Sequence, residues 1–423
     1  MIKPISISLS PNTEPDDVRL AFGLLFQPWR WFKGKEIKVL EKEFQKYLGI
    51  KHAFAFNSGR SALMAILQAL LSSEALAKED EVLLQAFTCN AVPNPVIWAG
   101  LKPVYVDCRE DDYNIDVDDL ERKITLRQAQ GGRPRAVIVQ HTFGLPADME
   151  KVQEVCKKHN LVLIEDCAHA LGATYKGKKV GTFGKAAFFS FSRDKVISSV
   201  YGGMVATNDS VLAQNIQTFQ QEIEYPSLFW TLQQLLHPIL MNWLILPTYR
   251  IFGKYLLILF QWLHILSKAV HWKEKRGIKP SYFPKRLSNA LAILALHQFQ
   301  KLERFNAHRK ELAKFYGEQS KNSGYILPQA FPEREHIFLR FPLRHAKAHE
   351  IIRKGWERNF LIGDWYTSPV APEDTRLDAL GYIQGSCPTA EKLSQETLNL
   401  PTHIRMKEKD AAKIIEFLKT YGT

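Results

Sequence analysis

Lys195 is the residue whose type and setting most directly indicate catalysis. It follows the apolar run AAFFSF, and Gly202 and Gly203 come shortly after it, before the apolar run MVAT. A lysine amine in a partly desolvated pocket has a lowered pKa, which suits it to form a Schiff base with an aldehyde. Most lysines lie on the surface instead, so Lys195 needs support from other residues.

Asp166 and His169 form a second group, in the stretch LVLIEDCAHALGA. Asp166 comes just beyond an apolar run, and His169 follows three residues later. A carboxylate in this setting can keep a heterocyclic nitrogen protonated, and an imidazole can orient that carboxylate or a phenolic oxygen. A helix cap at Asp166 and a buried structural histidine at His169 explain the pattern equally well.

Small residues in the run NSGRSALMAILQALL predict an anion site. Ser58, Gly59 and Ser61 would let backbone N–H groups approach an anion at the start of a helix, and Arg60 would add positive charge. On its own, this run is more typical of an ordinary turn between a strand and a helix, with a serine cap.

Two further serines, Ser190 and Ser192, lie two residues apart just before Lys195. In an extended segment they share one face, where their hydroxyls could bind a phosphate. A lysine, a carboxylate for a pyridine nitrogen and a phosphate cradle are together the parts that a pyridoxal phosphate (PLP) site needs.

The elements that must position these residues follow an α/β pattern. Between residues 51 and 207, apolar runs that end in polar turns alternate with helix-like stretches; the runs are HAFAF, EVLLQAF, PVYV, AVIVQ, LVLI and AAFFSF. Continuous runs of this length predict mainly parallel strands buried on both faces. Ligands collect at the carboxyl ends of such strands, which is where the polar residues described above lie.

The chain is expected to fold as three structural parts. Residues 1–222 form a large α/β domain, residues 223–284 an apolar and basic helical insert, and residues 285–423 a bridging helix with a smaller α+β domain. The run RLSNALAILALHQFQKLERFNAHRKELAKFYGEQ carries apolar residues at helical spacing. It therefore predicts one long amphipathic helix.

Several motifs, in this order, resemble those of the DegT-like sugar aminotransferases. They are NSGRSAL, the stretch from EVLLQAFT through REDDYNID, QHTFGLPADM, EDCAHALGATYKGKKVGTFGKAAFFSF with the lysine segment, RLSNALAILALHQFQKLERFNAHR and CPTAEKLSQETLNLPTH. The resemblance covers most of the chain outside residues 223–280. It implies fold type I of the PLP-dependent enzymes, with a mainly parallel sheet of the seven-stranded type and a smaller C-terminal α+β domain.

The resemblance also implies residue roles. Lys195, Asp166 and His169 are the expected catalytic residues: Lys195 holds the cofactor covalently, Asp166 pairs with its ring nitrogen, and His169 lies beside the ring. Ser190 and backbone groups at Arg60 and Ser61 contact the phosphate. The full set of expected cofactor-binding residues is Gly59, Arg60, Ser61, Cys89, Asp166, His169, Ser190 and Lys195. No metal site is expected.

The implied reaction is transamination of a keto sugar linked to a nucleotide, with glutamate or glutamine as amino donor, in the synthesis of cell-surface glycans or secondary-metabolite sugars. A homodimer is implied as well, because in this family each active site borrows residues from the neighbouring subunit. Two alternatives stay open: a non-catalytic relative that binds PLP or a sugar nucleotide as a sensor or membrane-associated scaffold, and a PLP-dependent lyase.

Four positions depart from the family pattern. Cys89 stands where many members have an aromatic residue, and Arg60 where a threonine is usual. Tyr201 replaces a glutamate, and Pro284 replaces an asparagine that reaches the partner's cofactor. These changes leave the lysine and the carboxylate in place but alter the walls of the site, so they affect the choice of substrate more than the transamination itself.

Half of the chain's net positive charge lies in one segment of the insert. The chain has 56 Lys and Arg against 44 Asp and Glu, for a net charge of +12. Between Tyr225 and Pro280 there are seven basic residues and one acidic residue. That segment is also apolar and rich in tryptophan, and the chain contains no helix-turn-helix, zinc-finger or RNP pattern, so nucleic acid is not expected as a partner.

The insert has the composition of a helix that lies in a membrane interface. Trp230, Trp243, Trp262 and Trp272 combine there with flanking Lys and Arg. Its longest strongly apolar run, Tyr255–Leu266, has 12 residues, whereas a span takes about 20. Residues 228–272 are thus expected to contact a membrane surface or, alternatively, to form a helical hairpin at a dimer interface or over the mouth of the active site.

The cysteines and the N-terminal residues indicate the cellular compartment that is expected for this protein. The five cysteines are scattered and contain no C-x-x-C pair, which favours a reducing environment. The first residues, MIKPISISLSPNTEPDD, contain no apolar stretch typical of a secretory signal. A cytoplasmic protein is expected, or one bound peripherally to the inner face of a membrane.

Overall fold

The computed structural model describes residues 3–421. The strands are β1 (Ile5–Ser6), β2 (His52–Phe56), β3 (Glu81–Gln85), β4 (Thr88–Cys89), β5 (Lys102–Val106), β6 (Pro134–Gln140), β7 (Val162–Asp166), β8 (Thr174–Tyr175), β9 (Lys178–Lys179), β10 (Ala186–Ser190), β11 (Gly203–Thr207), β12 (Arg334–Glu335), β13 (Arg340–Arg344), β14 (Phe360–Leu361), β15 (Val370–Ala371) and β16 (Thr397–Pro401). The helices are α1 (Pro15–Leu25), α2 (Lys35–Leu48), α3 (Gly59–Ser72), α4 (Pro93–Trp98), α5 (Val117–Ala129), α6 (Met149–Lys158), α7 (Ser210–Glu222), α8 (Leu228–Leu240), α9 (Lys254–Trp262), α10 (Asn289–Phe299), α11 (Leu302–Gln319), α12 (Ala348–Glu357), α13 (Pro388–Glu396) and α14 (Glu408–Lys419).

A seven-stranded sheet forms the centre of the molecule, in the order β2-β11-β10-β7-β6-β3-β5. Strand β11 runs antiparallel to both of its neighbours, and the other pairs are parallel. The expected α/β fold with a mainly parallel sheet of seven strands is therefore confirmed.

Both faces of this sheet are covered by helices, which is why its strands are apolar on both sides. Alternate strand residues pack with α3, α4 and α7 on one face. The remaining strand residues pack on the other face, with α2 and α10 under one half of the sheet and with α5 and α6 under the other half. The strand ends that carry the functional residues are thus fixed by two buried layers.

A smaller α+β unit follows at the C-terminus. Strands β13 and β16 pair antiparallel, and their apolar side chains form a separate core with α11, α12 and α14. The N-terminal strand β1 pairs with β14, so Ile5 belongs to this core as well. The division of the chain at residues 222 and 284 stays a prediction.

The long helix expected after the insert is two helices, α10 and α11. They are separated at Gln300 and Lys301, where the Lys301 N–H donates to the Gln298 carbonyl (3.0 Å) in a tight 3₁₀-type turn. The two helices serve different cores, since α10 is buried on nearly every side beneath the sheet and α11 continues into the C-terminal core. The break is held by Lys301, whose ammonium is 2.6 Å from the Asp16 carboxylate of α1.

The insert is a bent pair of helices joined by π-helical turns. One face of α8 packs on α1 and α10, and α9 has no buried residue. No single helix within residues 3–421 is long and apolar enough to cross a membrane. Residues Leu228–Ile245 and Tyr249–Trp262 together meet the length and composition of a span, but they are bent by 110° at their junction.

Candidate active site

One edge of the sheet brings most of the predicted site residues together. Asp166 ends β7, Ser190 ends the adjacent parallel strand β10, and Gly59 begins α3 directly after β2. A cleft of about 160 Å³ lies at this edge. Its lining includes seven of the eight predicted cofactor-binding residues, namely Gly59, Arg60, Cys89, Asp166, His169, Ser190 and Lys195. We call it the active-site cleft.

Ser61 is the predicted site residue that does not line the cleft. Its hydroxyl donates to the Asn57 side-chain carbonyl (2.6 Å). Its backbone N–H donates to the Ser58 hydroxyl (3.0 Å), which caps α3. Both polar groups of Ser61 thus stabilise the turn that presents Gly59 and Arg60.

The Asp166 carboxylate is buried at the floor of the cleft. It accepts a hydrogen bond from the Ala168 backbone N–H (2.9 Å), and burial raises its pKa to about 6, against the opposing effects of that bond and of Lys195. A cationic ring nitrogen placed against it would favour the ionised form. The position therefore suits a carboxylate that pairs with a positive heterocycle.

His169 is held by two aromatic neighbours. Its ring stacks on Trp365, with centroids 4.9 Å apart and planes 13° apart, and its Nε2 is 3.3 Å from the Tyr366 hydroxyl. Burial, together with the positive charges of Lys195 and Arg340, lowers the pKa of His169 well below its usual value. The imidazole is therefore neutral.

The second ring nitrogen of His169 is available to a ligand. Burial raises the pKa of Tyr366 well above its usual value, so its hydroxyl keeps its proton and can donate to Nε2. In that arrangement the proton of the neutral ring is on Nδ1. Nδ1 is buried and has no hydrogen-bond partner within residues 3–421, which leaves a donor for a ligand oxygen.

Lys195 extends into the same cleft, with its ammonium nitrogen 4.4 Å from the centre of the Trp365 ring. Burial lowers its pKa, helped by the charge of Arg340 and opposed by Asp194, Cys89 and Asp166. An amine with a lowered pKa is a better nucleophile and proton carrier near neutral pH.

The backbone that carries Lys195 is fixed from distant parts of the chain. The Asn12 side-chain amide donates to the carbonyl of Lys195 (2.5 Å), and Arg309 donates to the carbonyl of Val196 (2.7 Å). Arg309 also donates to the Asn12 side-chain carbonyl (3.1 Å). Sequence analysis missed Asn12 and Arg309, because no local pattern marks a residue that bonds so far along the chain.

The start of α3 forms an anion site beside Ser190. Because α3 begins at Gly59, the N–H groups of Gly59 and Arg60 have no partner inside the helix. A Cβ at Gly59 would come within 3.1 Å of the Ser190 Cβ, so glycine allows β10 and the helix start to approach closely. Backbone donors and a serine hydroxyl therefore meet where a phosphate would bind.

The Arg60 side chain serves a different purpose from the one expected. Its guanidinium forms a buried ion pair with Glu274 of the insert, and it lies 5.5 Å from the centre of the Phe283 ring. Its charge is therefore already matched by a carboxylate, and the anion site has the backbone N–H of Arg60 rather than a free guanidinium.

Residues 267–274, which we call the strap, close one side of the active-site cleft. Ala269 and Val270 of the strap line it together with Cys89. The opposite wall contains Trp365 and Tyr366, two aromatic residues in the run GDWYTSP that sequence analysis did not single out. The site therefore has an aromatic wall. It comes from Trp365 and Tyr366 rather than from position 89, where the family resemblance led us to expect an aromatic residue.

The residues present fit PLP. A buried carboxylate suits the ring nitrogen, the unpartnered His169 Nδ1 suits the phenolic oxygen, and the helix start with Ser190 suits the phosphate. Lys195 supplies the amine.

The chain resembles known proteins over nearly its whole length. The model of the DegT/DnrJ/EryC1/StrS aminotransferase family matches residues 23–223 and 265–419. GDP-perosamine synthase of Caulobacter vibrioides is 27% identical over 405 residues, covering 92% of this chain and 91% of that protein. The UDP-N-acetyl-3-dehydro-alpha-D-glucosamine 3-aminotransferase of Acidithiobacillus ferrooxidans is 26% identical over 405 residues, covering 96% and 93%.

The fold is shared with solved structures as well. Helicobacter pylori PseC, an aminotransferase involved in the biosynthesis of pseudoaminic acid, superposes with a TM-score of 0.76 at 23% identity, covering 99% of each chain. The chain belongs to the DegT/DnrJ/EryC1/StrS aminotransferase family and is an aminotransferase with PLP as its cofactor.

Proposed function

We propose that this protein transfers an amino group from glutamate or glutamine to a keto sugar carried by a nucleotide, for the synthesis of a glycan or another amino-sugar product. The observation that carries the proposal is the convergence of Lys195, Asp166 and His169 on one cleft that ends at the anion site of α3. The names of two relatives, which specify a GDP-linked and a UDP-linked sugar, support the nucleotide carrier.

Each side chain has a separable role in this reaction. Bound PLP supplies an electron sink for the pair released when a proton leaves the carbon next to an amine. Lys195, with its lowered pKa, would take that proton and return it to the carbon on the other side of the nitrogen. Asp166 holds the opposite ring nitrogen positive, and the neutral His169 donates through Nδ1. Trp365 and Tyr366 line the wall of the cleft and would limit access of water to it.

The donor half-reaction tests the proposal. Glutamate or glutamine, added to the purified PLP-loaded protein, should abolish the visible absorption of the cofactor and release a 2-keto acid, and a keto-sugar nucleotide should restore the absorption. The Lys195→Ala variant should show neither change. The Lys157→Ala variant, at an exposed lysine of α6, serves as control.

The same experiment separates the alternatives. A non-catalytic PLP-binding sensor or scaffold would keep its absorption with every donor. A lyase would consume a substrate without forming the donor's 2-keto acid. Either result would overturn the proposed transamination.

A homodimer is part of this proposal, supported by the family resemblance. Light scattering of the purified holoenzyme should give twice the mass of the chain, and a single-chain mass would contradict it.

We further propose that the insert docks on an anionic membrane surface. Within residues 3–421, 21 large apolar side chains are exposed, and 12 of these lie between residues 228 and 278. They are Leu228, Phe229, Trp243, Ile251, Phe252, Tyr255, Ile258, Leu259, Trp262, Leu263, Trp272 and Ile278. Exposed apolar patches of this kind mark protein or membrane interaction sites.

Charge supports the membrane rather than a second protein surface. Of the seven basic residues of the insert, Lys275 alone is ion-paired with a carboxylate within residues 3–421. Each free Lys or Arg near an anionic lipid surface contributes about 1 kcal/mol. Tryptophans beside unpaired cations are typical of interfacial helices.

Vesicle sedimentation without detergent tests the docking. The protein should bind vesicles that contain phosphatidylglycerol more strongly than vesicles of phosphatidylcholine alone. Serine at Ile258, Leu259 and Trp262 should lower the partition coefficient by about tenfold or more, whereas Val211→Ser and Ile383→Ser, exposed elsewhere, should not. Unchanged sedimentation together with dissociation of a dimer would place α9 at a subunit interface and overturn the proposal.

A further inference from the structure

A second and larger cavity lies directly behind the strap. It has a volume of about 700 Å³ and lies between the start of α8, the end of α9 and the strap. Ala269 and Val270 of the strap face the active-site cleft, whereas Lys268 and His271 on either side of them line the second cavity. We call it the insert cavity. One short stretch of backbone therefore separates the two spaces.

The strap is anchored to the catalytic centre at three points. The Ser267 hydroxyl is bonded to Arg193, two residues before Lys195. The Tyr201 hydroxyl donates to the Lys268 carbonyl (2.7 Å). The third anchor is the ion pair that Arg60 makes with the strap's last residue. A ligand in the insert cavity would thus be held at a fixed distance from the reacting atoms.

The lining of the insert cavity is positive. Lys268 and Lys273 line it, and neither has a carboxylate partner within residues 3–421. Burial lowers the pKa of His271, as do the nearby charges of Lys273, His264 and Lys268, which indicates that these groups converge. Glu224 is the one acidic residue of the lining, and it is paired with Lys285 (2.7 Å). The cavity therefore has uncompensated positive charge.

Aromatic side chains flank this charge. Trp262 and Trp272 line the insert cavity and belong to the exposed apolar surface of the insert, and Tyr282 lines its inner side. Cations next to flat aromatic surfaces suit a ligand in which a group with several negative charges is attached to a ring system or to a hydrocarbon chain. Residues 224–264, which form much of this lining, lie outside the match to the family model.

We propose that the insert cavity binds the diphosphate group that links the keto sugar to its carrier, a nucleoside or an isoprenoid chain. This inference rests on the proposed function. The sugar lies in the active-site cleft, and the linkage passes over the strap at Ala269, which is small and exposed. Lys268 and Lys273 bind the diphosphate oxygens, and Trp262 and Trp272 contact the adjoining base or isoprenoid.

Calorimetric titration of the PLP-loaded protein tests the site with three probes: inorganic pyrophosphate, GDP or UDP, and farnesyl diphosphate. The double variant Lys268→Ala, Lys273→Ala should weaken binding by about tenfold for each lysine. Lys279→Ala, an exposed lysine of the insert outside the cavity lining, is the matched control. Trp272→Ala should weaken the nucleoside or farnesyl diphosphate and leave pyrophosphate unchanged.

The outcomes are distinct. Binding of nucleoside diphosphates in preference to farnesyl diphosphate supports the site with a nucleotide carrier, and the reverse preference supports it with an isoprenoid carrier. Absence of binding by every probe, or binding that the double variant leaves unchanged while its melting temperature equals that of the wild type, overturns the inference. Loss of cofactor absorption with glutamate in the same preparation shows separately that the proposed transamination stands.

Discussion

Arg60 at the start of α3 and Glu274 at the end of the strap form a buried ion pair. This contact joins the anion site of the cofactor to the insert. The Tyr201 hydroxyl also bonds to the strap, by donating to the Lys268 carbonyl. Two of the four positions that the sequence analysis expected to depart from the family pattern thus contact the strap.

The Glu274→Gln substitution should destabilise the protein strongly. It would leave the Arg60 guanidinium buried without a matching charge, which costs about 3–5 kcal/mol. Urea unfolding should show this loss, and trypsin should cut the loosened strap faster. Asp374→Asn, which breaks the surface pair with Lys275, should cost less than about 1 kcal/mol. Equal stability of Glu274→Gln and the wild type would mean that the pair does not hold the strap.

Asp166 should make the stability of the cofactor-free protein depend on pH. Its pKa is raised from 3.8 to about 6 in the folded state, so the folded protein binds this proton more tightly than the unfolded chain does. The contribution of Asp166 to the free energy of unfolding is fully present below about pH 4. It is lost as pH rises through about 6, and the loss amounts to about 3 kcal/mol.

The Asp166→Asn variant removes this pH-dependent contribution to stability and so allows it to be measured. Relative to the wild type, its free energy of unfolding should rise by about 3 kcal/mol between pH 4 and pH 7, measured by urea denaturation without PLP. Glu373→Gln, at an exposed carboxylate, is the matched control. A flat difference for Asp166→Asn would mean that this carboxylate is not desolvated.

His169 should remain neutral across the physiological range. Its pKa is held well below the usual value by burial and by the charges of Lys195 and Arg340. Nitrogen NMR of histidine-labelled protein should therefore show no titration of this ring between about pH 5.5 and 8. Assignment by His169→Asn provides the control, and a midpoint near the ordinary value of about 6.5 would contradict the neutral ring.

Asn12 should act as a positioning residue for Lys195. Asn12→Ala removes the donor to the Lys195 carbonyl and leaves Arg309 with an unmatched hydrogen bond, at a cost of about 1–3 kcal/mol in stability. The rate at which glutamate abolishes the cofactor absorption should fall as well.

Asn12→Asp distinguishes positioning from stability. This variant keeps an acceptor for Arg309, which Asn12→Ala lacks, but it turns an oxygen instead of an N–H toward the Lys195 and Val196 carbonyls. Its rate should therefore be no higher than that of Asn12→Ala, even though the bond from Arg309 is kept. Asn208→Ala, which removes a bond from the backbone of Lys51, is the matched control. A wild-type rate for Asn12→Asp would show that this donated bond does not position the lysine.

Local pattern was sufficient to predict the main architecture. The apolar runs between residues 51 and 207 are strands of the central sheet, because strands buried on both faces must be apolar at successive positions. The same logic placed Asp166 and Ser190 at strand ends and Lys195 near them, and the structure brings them to one cleft. Their individual catalytic roles stay predictions.

The continuous helix expected after the insert was wrong, since α10 and α11 are separate. The spacing of apolar residues along this run does not show that its first half, α10, and its second half, α11, pack in different cores. Sequence analysis likewise assigned the Arg60 charge to the phosphate, because the spacing of residues along α3 gives no sign of a carboxylate more than two hundred positions later.

The sequence by itself determined the sheet and its covering helices, since these follow from short apolar runs. It also predicted the lysine, acid and imidazole of the site, from the polar residues that end those runs together with the family resemblance. The tertiary structure alone decided which charges are matched, which walls close the cleft and which part of the insert faces solvent. Those features depend on contacts between distant segments, such as Arg60 with Glu274 and Asn12 with Lys195. Such contacts form once the apolar layers have packed, and no local spacing in the chain specifies them.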